Sequence, residues 1–157
     1  MRVVIQRVSR ARVTVDGRET GHIGSGLLAY VGIERGDGEA EVDYVAEKIL
    51  GLRIFANDSG RMDLSVRDTG GEILSVSQFT LASRIRKGRR PDFGNAAEPD
   101  IAASLYRHFN QRLQEAGVPV ATGSFGAFME VDSVNDGPVT FVIDRPSGGV
   151  AHADPGP

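Results

Sequence analysis

Cysteine is absent from the 157 residues. Disulfides, thiolate nucleophiles and sulfur-based zinc sites are excluded with it, and the lack fits a reducing compartment. Histidine is scarce: His22, His108 and His152 fall in an early β-like region, a helix-like region and the C-terminal tail. None has a second ligand at metal-site spacing, so neither metal nor cofactor is expected. No Gly-x-Ser-x-Gly elbow and no glycine-rich phosphate loop occur. A Ser-His-Asp triad needs a histidine near its hydroxyl, and the sequence offers no obvious one. No apolar run approaches the roughly 20 residues that cross a bilayer. Met1-Arg2-Val3-Val4-Ile5 leads straight into a strand-like run, without the long apolar region of a signal peptide. A cytoplasmic chain without membrane contact is expected.

What is present has the balance of an ordinary globular protein: 40% hydrophobic and 25% charged residues. The length suits one domain with its own core, expected over 1–145. The net charge of −3 excludes general affinity for nucleic acid, so any such contact must come from a local patch.

The first third has a β pattern. Val3, Ile5, Val8, Val13 and Val15 precede Asp16-Gly17, a dipeptide suited to a tight hairpin. Residues 27–33 form a continuous apolar run, as in a strand buried on both faces. Val42, Val45, Ala46, Ile49 and Leu50 recur at helical spacing up to Gly51. Strands are expected over 52–55 and 72–78, with turns at Asn57-Asp58-Ser59-Gly60 and Thr69-Gly70-Gly71. A charged loop over 82–98 leads to a second helix. This opens at Pro99, carries Ile101, Leu105, Phe109 and Leu113 on one face, and closes at Gly117. Strands over 129–134 and 139–143, joined by a turn at Asn135-Asp136-Gly137, complete the pattern. The tail, 146–157, has too little apolar content to pack and is expected to be disordered. Strands and helices do not alternate regularly. The order therefore predicts an α+β fold, a mixed or antiparallel sheet curling towards a barrel with two helices packed on it.

Three segments could carry chemistry. Ser77-Gln78-Phe79-Thr80 ends a strand with hydrogen-bonding groups beside an aromatic ring, although hydroxyls at strand ends more often only cap a turn. Asn135-Asp136-Gly137-Pro138-Val139-Thr140 has the composition of a turn before an edge strand. The sharper alternative is a cis Gly-Pro bond presenting a rigid pair of carbonyls. Arg84, Arg86, Lys87, Arg89 and Arg90 put five cations into seven residues. Such a run is usually solvated surface, but its position just after the polar segment also suits phosphate contacts. Phe125, between Gly123 and Gly126, is either core or a ring on which a flat ligand can stack.

Together these segments resemble the D-aminoacyl-tRNA deacylase family. The two signatures are Ser77-Gln78-Phe79-Thr80 and Asn135-Asp136-Gly137-Pro138-Val139-Thr140. Val4-Ile5-Gln6-Arg7-Val8, Leu52-Arg53-Ile54-Phe55, Lys87-Gly88-Arg89-Arg90-Pro91 and Phe125-Gly126-Ala127 are similar too, in the family's order from Met1 to about Asp144. The resemblance implies a homodimeric hydrolase acting on the aminoacyl-tRNA 3′ end, with its active site at the subunit interface. It also implies a cis Gly137-Pro138 that enters the partner's site and excludes L side chains, with Arg7 orienting that motif. Ser77, Gln78, Phe79 and Thr80 would line the pocket, and Phe125 and Met129 would pack on the terminal adenine. Attack by water would be assisted by the RNA 2′-hydroxyl, with Thr80 as nucleophile the runner-up mechanism. Phosphate contacts from Arg86, Lys87, Arg89 and Arg90 complete the expected site. Ala82-Ser83-Arg84-Ile85, Phe128 and Asp132-Ser133 depart from the family pattern. A reading from another class is a non-catalytic RNA-binding module using the cationic loop and Phe125.

Overall fold

The computed structural model describes residues 1–85 and 89–148. Asp16 and Gly17 both take positive φ, 49° and 73°, the two-residue geometry whose twist matches that of paired strands. They join β1 (Arg2–Val15) to β2 (Arg18–Ile23), bringing Val15 opposite Arg18. β3 (Gly26–Gly32) is followed by helix α1 (Glu39–Gly51) and by the short strands β4 (Phe55–Ala56) and β5 (Met62–Leu64), which pair only with each other. β6 (Glu72–Ser77) ends in a 3-10 turn, Phe79–Ala82. Helix α2 (Pro99–Glu115) then leads to β7 (Val120–Thr122) and β8 (Glu130–Asp144).

The main sheet runs β2-β1-β3-β6-β7, with β8 on the other side of β1. Its β3–β6 and β6–β7 pairs are parallel and the rest antiparallel, so the sheet is mixed. It curls until its ends meet. A Cβ at Gly21 in β2 would lie 2.5 Å from the carbonyl oxygen of Thr122 in β7, an approach that only glycine allows. The expected architecture, a mixed sheet bent towards a barrel with two helices, is the one found.

β3 shows why its apolar run is unbroken. Leu27, Ala29 and Val31 face a core shared with Val3, Ile5, Ile73 and both helices. Leu28 faces the other cluster, formed with Val8, Val13, Leu74 and Val76. With both sheet faces covered, no polar alternation is required. In α1 the stripe Val42, Val45, Ala46 and Ile49 is buried as its spacing predicts. α2 buries Leu105, Phe109 and Leu113, but Ile101 is exposed and Ala102 packs on the core in its place. A strict spacing of four drifts around a helix of 3.6 residues per turn, so the first of four such positions rotates off the face.

Two strand expectations are corrected. The strand over 52–55 shrinks to Phe55–Ala56. Ile54 and Phe55 are buried apolar anchors, and the Ile54 carbonyl accepts from the Arg7 side chain rather than from a strand. The two strands expected over 129–134 and 139–143 are one strand, β8, and residues 135–137 are not a hairpin turn. β8 pairs antiparallel with β1 on both sides of that segment, from Thr14 opposite Glu130 to Arg2 opposite Asp144. In between, Asn135 faces Val8 and Thr140 faces Gln6, so residues 136–139 leave the ladder as an excursion. Of the tail expected to be disordered, 149–157 lie outside the described residues.

Candidate functional site

Where β6 leaves the sheet, its last residues line a cavity of about 580 Å³. Ser77, Gln78 and Phe79 form one wall, α2 contributes Pro99 and Ala102, and the segment before β8 contributes Phe125, Ala127, Phe128 and Met129. Tyr106, buried behind this wall, donates its hydroxyl to the Ser75 carbonyl at 2.8 Å. Its ring backs that of Phe125, with centroids 5.9 Å apart. Burial pushes the Tyr106 hydroxyl above its ordinary pKa, so it remains a protonated donor at neutral pH. Phe125 is thus supported from the core side and leaves one face to the cavity, where Met129 adds a polarizable sulfur.

Thr80 lies one residue beyond this wall, exposed in the 3-10 turn, and its hydroxyl oxygen accepts from the Gln78 side-chain amide. An amide NH2 group can donate but cannot take up a proton, so this contact orients the hydroxyl without activating it. His22 pairs with Glu19 and His108 with Asp43, and neither histidine lines the cavity. The wall can therefore hold a planar group and present hydrogen-bonding side chains to a polar one. No residue on it is arranged as an activated nucleophile.

The second signature is elsewhere. Asp136, Gly137 and Pro138 are all exposed on the excursion of β8, outside the lining of the cavity. The Gly137–Pro138 peptide bond is cis. Arg7 holds this excursion: its Nε donates to the Asp136 carbonyl at 3.0 Å and its Nη1 to the Ile54 carbonyl at 2.6 Å. Arg7 Nε also lies 3.3 Å from the Asp136 carboxylate. Asn135 closes the neck, accepting from the Val139 N–H at 2.8 Å and donating to the Thr140 hydroxyl at 2.9 Å. The loop is built to hold one shape, yet contributes nothing to the lining of this cavity.

Of the cationic run, Arg86 and Lys87 lie outside the described residues. Arg89 and Arg90 are exposed. The run is closed at its base by paired backbone hydrogen bonds between Arg84 and Asp92, 2.8 and 3.0 Å. The next residue, Phe93, meets Phe79 with centroids 5.2 Å apart and planes tilted by 51°, and both rings line the cavity. Sequence reasoning missed Phe93, the Asn135–Thr140 neck and the Ile54 carbonyl as the second anchor of Arg7. An aromatic residue in a polar loop was the only available signal for the first, and the last is a main-chain atom that no motif could mark.

The fold and this cavity define a small α+β protein with a rimmed, aromatic-walled site and a separate rigid loop. The chain belongs to the D-Tyr-tRNA(Tyr) deacylase family, whose model matches residues 4–144. It is 55% identical over 147 residues to a D-aminoacyl-tRNA deacylase of Geobacter sulfurreducens, covering 94% of this chain and 97% of that one. It is also 55% identical over 144 residues to the enzyme of that name from Bacillus velezensis, covering 92% and 98%. Among solved structures it is similar to the c-Myc DNA unwinding element binding protein, with a TM-score of 0.89 at 42% identity over 93% of this chain and 99% of that one. A probable eukaryotic D-amino acid tRNA deacylase shares the fold, with a TM-score of 0.77 at 19% identity over 92% and 98%.

Proposed function

We propose that the protein hydrolyses the ester joining a D-amino acid to the terminal ribose of tRNA, releasing free D-amino acid and tRNA. One observation carries the reading. The aromatic-walled cavity and the rigid Gly137-Pro138 loop are both present, but a single chain does not bring them together. A homodimer in which each loop enters the partner's cavity supplies what each subunit lacks. The family relationship supports the same reading.

In such a site the terminal adenine packs on Phe125 and Met129, and the ester lies against Ser77, Gln78, Phe79 and Thr80. Water forms the new bond to the carbonyl carbon and the bond to the ribose oxygen breaks. That oxygen takes up the proton that water loses, with the neighbouring RNA 2′-hydroxyl assisting. The protein's share is orientation and hydrogen bonding to the developing oxyanion. The Gly137 and Pro138 carbonyls face the α-carbon and leave no space for an L side chain. Building a clash against the wrong enantiomer discriminates without testing what the side chain is, so one site serves many amino acids. Glycine has nothing to exclude, so glycyl-tRNA, including that mischarged on alanine tRNA, is also a substrate.

Arg86, Lys87, Arg89 and Arg90 contact the RNA phosphates. Residues 1–145 form a single deacylase domain, and the site of action is the cytoplasm. The decisive experiment is deacylation of matched D- and L-aminoacyl-tRNA. Hydrolysis of the D ester alone supports the proposal. Binding without hydrolysis of either leaves an RNA-binding module instead.

A further inference from the structure

Phe128 is 88% exposed, although it lines the same cavity as Phe125. Phe125 lies within a turn in which the Ala127 N–H donates to the Ser124 carbonyl at 3.2 Å, and Phe128 follows it directly. Their environments differ: Phe125 is backed by Tyr106, whereas Phe128 projects from the lip with almost all of its surface in water. A large apolar ring so exposed on the lip of a cavity offers a free face to a flat ligand.

We propose that Phe128 is a second stacking platform, for the base that precedes the terminal adenosine of the substrate RNA. This rests on the deacylase reading above. A cavity of about 580 Å³ has the size that holds one drug-sized ligand. The aminoacyl group and terminal adenosine fill it, so the next nucleotide must lie on the lip, where Phe128 is. The local charge is complementary to such a strand. Arg84, Arg89 and Arg90 are exposed on the loop that ends at Phe93, which lines this mouth, and cations there attract the linking phosphates. An exposed ring with exposed cations near it is the combination that binds single-stranded nucleic acid by stacking, without reading its sequence.

The test compares D-aminoacyl-tRNA with a D-aminoacyl ester of adenosine alone, for the wild type and for Phe128→Ala, Phe128→Leu and Phe128→Trp. Stacking on one base predicts that Phe128→Ala raises the KM for the tRNA about 5- to 150-fold and leaves kcat unchanged. Its KM for the adenosine ester should rise much less. Phe128→Leu should behave like alanine and Phe128→Trp like the wild type, because a planar face and not apolar bulk is needed. An equal rise for both substrates, or no rise for either, overturns the proposal. So does a change of oligomeric state in Phe128→Ala on sedimentation, which would make the ring a contact with a second copy. A wild type inactive on both substrates sinks the deacylase reading and this proposal together, whereas an active wild type with an indifferent Phe128→Ala sinks this proposal alone.

Discussion

Replacing Gly137 with alanine adds a methyl group 2.6 Å from Val139 Cγ2, 3.1 Å from the Val139 nitrogen and 3.2 Å from Arg7 Nη2. Val139 cannot easily yield, because it is buried and its β-branched side chain is stiff. Arg7 is fixed by the Asp136 and Ile54 carbonyls. The φ of Gly137, +140°, lies in a region essentially closed to side chains, at a cost of about 1–3 kcal/mol. The loop itself must therefore shift. Asp136, Gly137 and Pro138 are exposed and outside the β1–β8 ladder, so the shift does not break strand pairing. The loss of stability should stay within about 3 kcal/mol, the local strain alone. Activity should fall further, since a misplacement of about 1 Å in a positioned site costs on the order of 100-fold. The assay pairs urea unfolding with kcat/KM on D-aminoacyl-tRNA. Wild-type activity in a variant strained by the expected amount would refute the idea that this loop faces substrate.

Thr80→Ala should lower kcat by about 100- to 1000-fold and leave measurable hydrolysis, the usual cost of one lost oriented donor. An acyl-enzyme trapped on Thr80 in a quenched reaction would instead make it the nucleophile. Arg7→Ala leaves the Asp136 and Ile54 carbonyls without their donor, at a cost of about 1–3 kcal/mol. It should raise L-substrate hydrolysis as the loop reorients, measured as L-aminoacyl-tRNA turnover, and unchanged rejection of L esters would show that the loop holds its shape without Arg7. Neutralising Arg86, Lys87, Arg89 and Arg90 together should raise the KM for aminoacyl-tRNA. It should also flatten the salt dependence by about 0.7–0.9 log units per lost phosphate contact. An identical salt slope would reduce the run to solvated surface.

The sequence by itself determined the elements whose signals are local. Asp16-Gly17 tolerates the φ values its hairpin needs, so the turn follows from two residues. Pro99 begins α2 where its missing N–H is harmless, and the stripe from Val42 to Ile49 predicts the buried face of α1. The two signatures were legible as well, because each concentrates unusual residues in a few positions. Tertiary structure alone decided what depends on partners distant in the chain. Residues 135–137 have the composition of a turn whether the flanking strands pair with each other or both with a third. Only the continuous edge of β1, paired from Arg2 to Thr14, turns the segment into an excursion of one strand. Ile54 and Arg7 are 47 residues apart, and the bond between them runs to a carbonyl oxygen that every residue possesses. Likewise, a phenylalanine alternates between core and lip according to what lies behind it. Tyr106 supports Phe125 and no described residue covers Phe128, a difference set by packing across the barrel and invisible in Phe125-Gly126-Ala127-Phe128.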